Sequence, residues 1–431
     1  MMTRQSGLRI AFGIGVGFLV GCGAPKPLTL MPTPVIYSVG KIDPFAHLGS
    51  EHRSPEIPVF YATNRLPSTD RDMVTYQNVL DSRLHLGRAT IRFGRLGASW
   101  KDVVRASLAE GGEGGEATPL VVTAVAPVAA IPVSETVPDP LRSPGVKAFV
   151  DGINSELARA VDKEVIVYVH GTKVDFTNSV SLTAEIDHFA GRDFVGVAFA
   201  WPSHQDILNY MVGVDVKRAL ESSTALRRLL ELLALHTDAK HINVLAYSAG
   251  GRVTSKALYE LRQTAPELDA TSLRRRFRLG AVAFAAADVP VDTFLERLEP
   301  ISELAELVVI TSSDADNALQ AGKNFMGGLD RAGTRRAEDE EEAFVARKQL
   351  ENVEIIDVSF GQEVRGFDIT GHHYWYRHPW TSSDMVFLMR TDLPAGQRGL
   401  ESTEQAGVWF LSSDYPEMIR KAAAKALDGQ W

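Results

Sequence analysis

The stretch INVLAYSAGG at residues 242–251 decides the fold of this chain. Its apolar first half, residues 242–246, predicts a buried strand, and the residues after the two glycines predict a helix. Ser248 lies at the corner, with Ala246 two residues before it and Gly250 two residues after it. A strained corner needs small residues there because the backbone passes close to neighbouring strands while the serine hydroxyl is lifted out. The pattern therefore predicts a nucleophile at Ser248; a helix-capping serine is the structural alternative.

Five other apolar runs have the length of buried strands. Each run is continuous rather than alternating, which is typical of strands covered on both faces of a parallel sheet. Amphipathic stretches lie between them, notably residues 216–236 and 251–264. This order predicts an α/β fold with a mostly parallel, doubly wound sheet and helices on both faces. The five runs are residues 165–169, 194–200, 280–287, 307–311 and 353–359.

A second motif, His170-Gly171-Thr172, directly follows the first of these runs. In hydrolases with a serine at a strand-to-helix corner, such a turn supplies one N–H of the oxyanion hole, and the residue after the serine supplies the other. Thr172 and Ala249 are therefore the predicted donors. His170 is predicted to be a structural turn residue rather than the catalytic base.

Several segments, in one chain order, resemble a bacterial α/β-hydrolase family of largely unassigned function. The resemblance covers roughly residues 58 to 390 and implies Ser248 as nucleophile, Asp316 as acid and His372 as base. The segments are residues 59–65 (VFYATNR), 167–171 (VYVHG), 198–203 (AFAWPS), 246–250 (AYSAG), 312–319 (SSDADNAL) and 371–372 (GH).

The residues themselves leave the acid and the base open. In this fold the acid follows the serine in the chain and the base comes last. Asp314 and Asp316 both follow the predicted strand 307–311, and Asp288 follows the preceding strand. His372, His373 and His378 compete for the role of base, with His372 preferred and His373 second, and only geometry can select among them. No Cys and no regular His/carboxylate spacing accompanies them, so we expect no metal. No sequence resembles a P-loop or a dinucleotide fingerprint after a strand, so we expect no organic cofactor.

The amino terminus resembles a lipoprotein signal. Residues 1–21 combine two arginines, no acidic residue and a short apolar segment that ends in Leu19-Val20-Gly21 before Cys22. This segment is too short to span a bilayer, and its ending resembles the site where signal peptidase cuts and Cys22 receives lipid. Gly23, rather than aspartate, favours the outer membrane, facing the periplasm, if the host is Gram-negative. The alternative is an ordinary signal peptide or an amino-terminal anchor helix.

Two further segments are predicted to lie outside the packed domain. Residues 22–57 are rich in proline without periodicity, which predicts an extended and mostly unstructured tether. A Gly- and Pro-rich stretch at about 107–145 predicts a flexible insertion whose middle could pair as a strand. The hydrolase domain is then residues 58–431.

Composition narrows the function classes. The chain has 431 residues, 45 Lys and Arg, 54 Asp and Glu, and a net charge of −9. This acidic balance argues against a nucleic-acid partner, since phosphate contacts need clustered positive charge. The expected function is hydrolysis of an ester or related acyl bond in a small or lipid-like substrate, with the membrane bound through the lipid. The alternatives are a non-catalytic envelope lipoprotein that uses the scaffold for binding, and a peptidase or amidase.

Overall fold

The computed structural model describes most of the chain between residues 28 and 426. The described residues are 28–70, 73–109, 118–134, 139–206, 209–210, 212–313, 330–332, 334, 344–345, 348–359, 374–403 and 407–426. The strands are β1 Glu56–Asp70, β2 Met73–Phe93, β3 Leu120–Pro132, β4 Val165–Val169, β5 Val195–Phe199, β6 Ile242–Tyr247, β7 Leu279–Ala285, β8 Ala305–Ser312, β9 Val353–Asp357, β10 Glu401–Ser402 and β11 Val408–Phe410. The helices are α1 Val35–Gly40, α2 Trp100–Ser107, α3 Pro144–Leu157, α4 Phe176–Phe189, α5 Val214–His236, α6 Gly250–Gln263, α7 Ala270–Phe277, α8 Val291–Leu304, α9 Tyr374–Arg377, α10 Pro379–Thr391 and α11 Tyr415–Ala426.

Within these described residues, eleven strands form one sheet in the order β10-β11-β9-β8-β7-β6-β4-β5-β1-β2-β3. Neighbouring strands from β11 through β1 are all parallel, with Val167 of β4 opposite Val197 of β5 and Val244 of β6. The outer strands β2, β3 and β10 pair with their neighbours in antiparallel fashion. The predicted mostly parallel α/β sheet is confirmed. Its carboxyl edge brings together the ends of β4, β5, β6, β7 and β8.

Both faces of the sheet are covered. Val167 and Val244 pack on one face with the leucines of α5, whereas Tyr168 and Leu245 pack on the other with Phe387 of α10. A central strand therefore needs apolar side chains at successive positions, which explains the continuous rather than alternating runs.

The predicted elements agree with the structure to within a few residues. All six predicted strands occur, as β4 through β9, and the two predicted helices occur as α5 and α6. No boundary differs by more than two residues; α5, for example, begins at Val214, two residues before the predicted start.

The prediction of an unstructured tether is wrong for its described part, residues 28–57. Ile36 and Tyr37 of α1 are buried, and α1 packs against α10 and α11. The Met31 N–H donates to Glu185 Oε1 of α4 at 2.6 Å, and the Ile36 N–H donates to Ser383 Oγ of α10 at 3.0 Å. This segment is ordered by partners more than a hundred residues away in the chain, so its own proline-rich composition is a poor guide.

The insertion predicted at 107–145 is also not flexible throughout. Residues 120–132 form β3, which pairs along its length with β2, from Leu120 opposite Phe93 to Pro132 opposite Arg83. The expectation that the middle could pair as a strand is thus confirmed. The flanking residues 110–117 and 135–138 lie outside the described residues.

No helix within the described residues is long and apolar enough to cross a membrane. The predicted signal peptide at 1–21 and the lipidation site Cys22 lie outside the described residues.

Candidate active site

Ser248 occupies a strained turn between β6 and α6. Its backbone φ is +52°, a left-handed conformation that non-glycine residues adopt at a cost of about 1–3 kcal/mol. The turn is held on both sides, because the Ser248 N–H donates to Ala285 O at 2.9 Å and Ser248 O accepts from the Gly251 N–H at 2.9 Å. Only 4 % of Ser248 is exposed. The local geometry is that of a nucleophile elbow.

Gly250 is required by close approach to β4. A Cβ at this position would lie 2.7 Å from His170 O and closer still to Val169 O, both of them backbone atoms. The small residue that the sequence places two positions after the serine therefore lets the start of α6 pass the end of β4. This contact sets how near the elbow comes to the turn that follows β4.

That turn, His170-Gly171-Thr172, packs directly against the elbow. A Cβ on Gly171 would lie 3.0 Å from Ser248 Cβ, so the two motifs are in van der Waals contact. Thr172 is the next residue in the turn, and Ala249 follows Ser248 at the amino end of α6, where the first N–H groups have no intrahelical acceptor. The two predicted oxyanion donors thus belong to the two segments that meet at the serine.

The Thr172 hydroxyl is buried and has no hydrogen-bond partner among the residues that the structure describes. Buried polar atoms are nearly always satisfied, so such an atom calls for a partner. It lies in the turn that packs against Ser248, where an oxygen of a bound molecule could provide that partner.

His170 is held as a neutral structural residue. Its Nδ1 donates to Gly171 O at 2.7 Å, and its ring stacks on Trp201 with centroids 5.2 Å apart. Burial, together with the nearby Arg65 guanidinium, lowers the pKa of His170 to about 3. These contacts agree with the predicted structural role.

Asp288, one of the three candidate acids, has a carboxylate already held by two arginines. It lies 3.3 Å from Arg252 Nη2 and 3.0 Å from Arg331 Nε. Its backbone N–H donates to Ser248 O of the elbow at 3.1 Å. The buried carboxylate thus has two cationic partners.

Of the other candidates, Asp314, Asp316, His372 and His373 lie outside the described residues. The third histidine, His378, caps the start of α10, where its Nδ1 accepts from the Trp380 N–H at 3.3 Å. The described residue that follows His373 is Tyr374, whose hydroxyl is 2.7 Å from Thr311 Oγ1 near the end of β8. The Trp375 ring lies 5.7 Å from the ring of Tyr247, the residue before Ser248. The residues that follow the histidine pair, Tyr374 and Trp375, therefore pack beside the carboxyl ends of β6 and β8.

Two residues that sequence reasoning assigned no role also contact the turn after β4. Arg65 of β1 donates through Nη2 to Val174 O at 2.7 Å, and Trp201 donates through Nε1 to His170 O at 2.6 Å. Both lie in segments that carry the family resemblance, and that resemblance was the sequence feature that could have pointed to them.

One group of described residues has the side chains of a metal site, but it lies at the opposite edge of the sheet. His241 Nδ1 is 3.2 Å from Glu164 Oε1 and 3.1 Å from Asp392 Oδ2. Hydrogen bonds to Asp392 and Glu164 raise the pKa of His241 to about 9. Glu164 and His241 precede β4 and β6, whereas Ser248 follows β6, so this group does not belong to the candidate active site. A cavity of about 720 Å³ at this edge is lined by Glu164 and Asp392.

The sheet and the serine elbow define the class of protein, an α/β-hydrolase fold. The chain belongs to the family described as "Alpha/beta hydrolase of unknown function (DUF900)", whose model matches residues 147–386, more than half of its length. The predicted resemblance is thereby confirmed. A lipase-esterase related protein from Clostridium acetobutylicum ATCC 824 is similar at 10 % identity over 62 % of this chain and 93 % of that chain, with a TM-score of 0.19. No curated protein matches the chain.

Proposed function

We propose that this chain is a serine hydrolase that cleaves an ester or a related acyl bond with Ser248 as nucleophile. The observation that carries the proposal is the contact between the strained elbow and the turn after β4. Strained backbone in a folded protein is concentrated at functional sites. Here the strained residue is a serine, and the adjoining segments carry two backbone N–H groups suited to an oxyanion.

In the proposed mechanism, Asp316 orients His372, which accepts the proton of Ser248 Oγ as that oxygen attacks the acyl carbonyl. The N–H groups of Thr172 and Ala249 stabilise the oxyanion of the tetrahedral intermediate. His372 then donates the proton to the leaving group, and water releases the acid from the acyl-enzyme by the same steps. These steps require no metal or organic cofactor.

Two described features support the choice of acid and base. Asp316 follows the end of β8 by four residues, and the aromatic residues after the histidine pair are attached to β8 and to Tyr247. The carboxylate of Asp288 is ion-paired with arginine, which favours Asp316 or Asp314 as the acid.

The decisive experiment is labelling of the full chain with a fluorophosphonate probe, read by intact mass. We expect one adduct on the wild type and none on Ser248→Ala or His372→Ala. A matched control is Ser179→Ala, which removes a buried hydroxyl of α4 that has no partner in the described part of the chain; it should label normally. Asp316→Asn, Asp314→Asn and His373→Ala, measured in parallel, test the choice within each pair.

If folded wild-type protein takes up no label, the serine is not activated, and binding by a non-catalytic lipoprotein becomes the better explanation. If it is labelled, ester and amide substrates of increasing acyl length separate an esterase from an amidase or peptidase.

The membrane attachment is part of the same proposal. Lipid on Cys22 would anchor the chain in the cell envelope, at the periplasmic face of the outer membrane in a Gram-negative host, and lipid-like acyl substrates would be close by. Cys22→Ser should move the chain from the membrane fraction to the soluble fraction and remove the mass of the acyl groups. Equal membrane recovery of wild type and variant would refute lipid anchoring.

A further inference from the structure

Three segments far apart in the chain converge beneath the turn that carries Thr172. Arg65 comes from β1, Trp201 follows β5, and His170 follows β4. All three side chains are fully buried. The convergence therefore joins three of the segments that define the family resemblance, although none of them contains a residue of the proposed triad.

Each of these side chains holds a different carbonyl of residues 170–174. Trp201 Nε1 donates to His170 O at 2.6 Å, and His170 Nδ1 donates to Gly171 O at 2.7 Å. Arg65 Nη2 donates to Val174 O at 2.7 Å. Hydrogen-bond donors thus hold backbone carbonyls on both sides of Thr172, which fixes the direction of the Thr172 N–H.

The Arg65 guanidinium also brings charge to this turn. Its Nη2 lies 3.4 Å from His170 Nε2, and its Nε donates to Ala200 O at 3.2 Å. Since His170 Nδ1 carries the proton given to Gly171 O, Nε2 is an acceptor, and the ring adds no positive charge of its own. Burial lowers the pKa of Arg65 to about 9, so the guanidinium remains protonated at neutral pH.

Burying this cation costs desolvation free energy, so a gain in stability alone does not explain its presence. Among the described residues, the direct hydrogen-bond partners of the Arg65 side chain are carbonyls, an amide oxygen and a neutral imidazole, whereas the carboxylates of Asp175 and Asp215 act on it only through longer-range electrostatics. An apolar side chain of similar volume often stabilises the folded state as well as a buried charged side chain does. What the guanidinium adds is several directed N–H groups and a positive field beside the turn.

We infer that Arg65 and Trp201 are positioning residues of the oxyanion hole. They hold the turn so that the Thr172 N–H points to the position where negative charge develops beside Ser248, and Arg65 adds positive potential there. This inference rests on the proposed serine hydrolase function and adds two residues outside the triad to it. Preorganised donors and charges of this kind act on the transition state more than on substrate binding.

The test compares Arg65→Gln, Arg65→Lys and Trp201→Phe with the wild type on a short-chain p-nitrophenyl ester and a fluorophosphonate probe. Removing a direct oxyanion donor costs about 10²–10³-fold in kcat, so we expect about 10–100-fold for Arg65→Gln with KM changed less than about twofold. Lysine, which restores the charge but not the planar fork, should recover part of the loss. Trp201→Phe keeps the stacked ring and loses the N–H, and should cost about 10-fold in kcat by the same reasoning.

Arg192 offers a matched control near the opposite edge of the sheet. It is partly buried, donates to Ser54 O at 2.6 Å and to His188 Nδ1 at 2.9 Å, and stacks over Trp100. Arg192→Gln should destabilise the fold comparably while leaving kcat per folded molecule unchanged.

The outcomes separate the two proposals. If the wild type is neither labelled nor active, the serine hydrolase function fails and the inference fails with it. If the wild type is active but Arg65→Gln and Arg192→Gln have the same kcat per folded molecule, the positioning role of Arg65 is refuted and the serine hydrolase function stands. If Arg65→Gln does not fold, Arg65→Lys and Trp201→Phe decide: wild-type kcat in both would refute the inference.

Discussion

Gly250→Ala is the substitution whose effect the structure specifies most closely. The added Cβ would lie 2.7 Å from His170 O, whereas ordinary van der Waals contact begins at 3.4 Å. β4 is hydrogen-bonded on both sides, by β5 and β6, and cannot yield easily. The start of α6 must therefore withdraw by roughly 0.7 Å or more, at a cost of about 1–3 kcal/mol in the free energy of unfolding.

The same displacement moves the Ser248 elbow away from the turn that carries Thr172. A misplacement of about 1 Å can cost about 10²-fold in rate, so fluorophosphonate labelling should slow by about 10–100-fold. Gly152→Ala in α3 is the control, since its Cβ would meet only the edge of the Phe60 ring at 3.2 Å. There the gain in helix propensity, about 1 kcal/mol, should offset the tight contact.

Urea denaturation and the second-order labelling rate, measured on both variants, check the reasoning. Wild-type stability together with a wild-type labelling rate in Gly250→Ala would show that the close approach of α6 to β4 does not set the site geometry.

Two further predictions concern buried titratable groups. Glu185→Gln should raise the free energy of unfolding near pH 8 by roughly 1–3 kcal/mol, because burial raises the pKa of this carboxyl to about 8 while glutamine keeps an oxygen for the Met31 N–H. Below the ordinary pKa of 4.5 the Glu185 carboxyl is neutral in both the folded and the unfolded protein, and the wild type loses stability as the pH rises from there through 8. The stabilisation by glutamine should therefore vanish when unfolding is measured at pH 4. A stabilisation of the same size at all pH values would contradict the assignment. His241→Gln should instead destabilise by roughly 1–2 kcal/mol at pH 6, after allowance for partial exposure, because the folded-state pKa of about 9 exceeds the ordinary 6.5. That contribution is complete below pH 6.5 and lost as the pH rises through 9, so urea midpoints of variant and wild type should converge near pH 10; equal midpoints at pH 6 would refute the ionic bonds to Glu164 and Asp392.

The candidate site was predictable to the extent that it rests on short-range patterns. Ser248 and the turn at residues 170–172 each follow a buried strand, and parallel strands end at one edge of a sheet, so their meeting follows from the pattern. Arg65 and Trp201 could not be given a role in this way, because their contacts with the turn depend on how β1 and β5 are ordered in the sheet. Asp288 could not be separated from the other acids, since its ion pairs with arginines become visible only in three dimensions.

Continuous apolar runs determined the central strands β4 through β9 from the amino-acid sequence, because a strand buried on both faces carries apolar side chains at most successive positions. Small residues around Ser248 likewise marked the elbow, because the turn is local and its steric requirement is severe. The outer strands and the amino-terminal segment had no such signature. β3 lies at the edge of the sheet and is exposed over much of its length, and residues 28–40 are ordered by hydrogen bonds to α4, α10 and the start of β3. Long-range partners supply the free energy that orders these segments, and those partners exist only once the chain has folded.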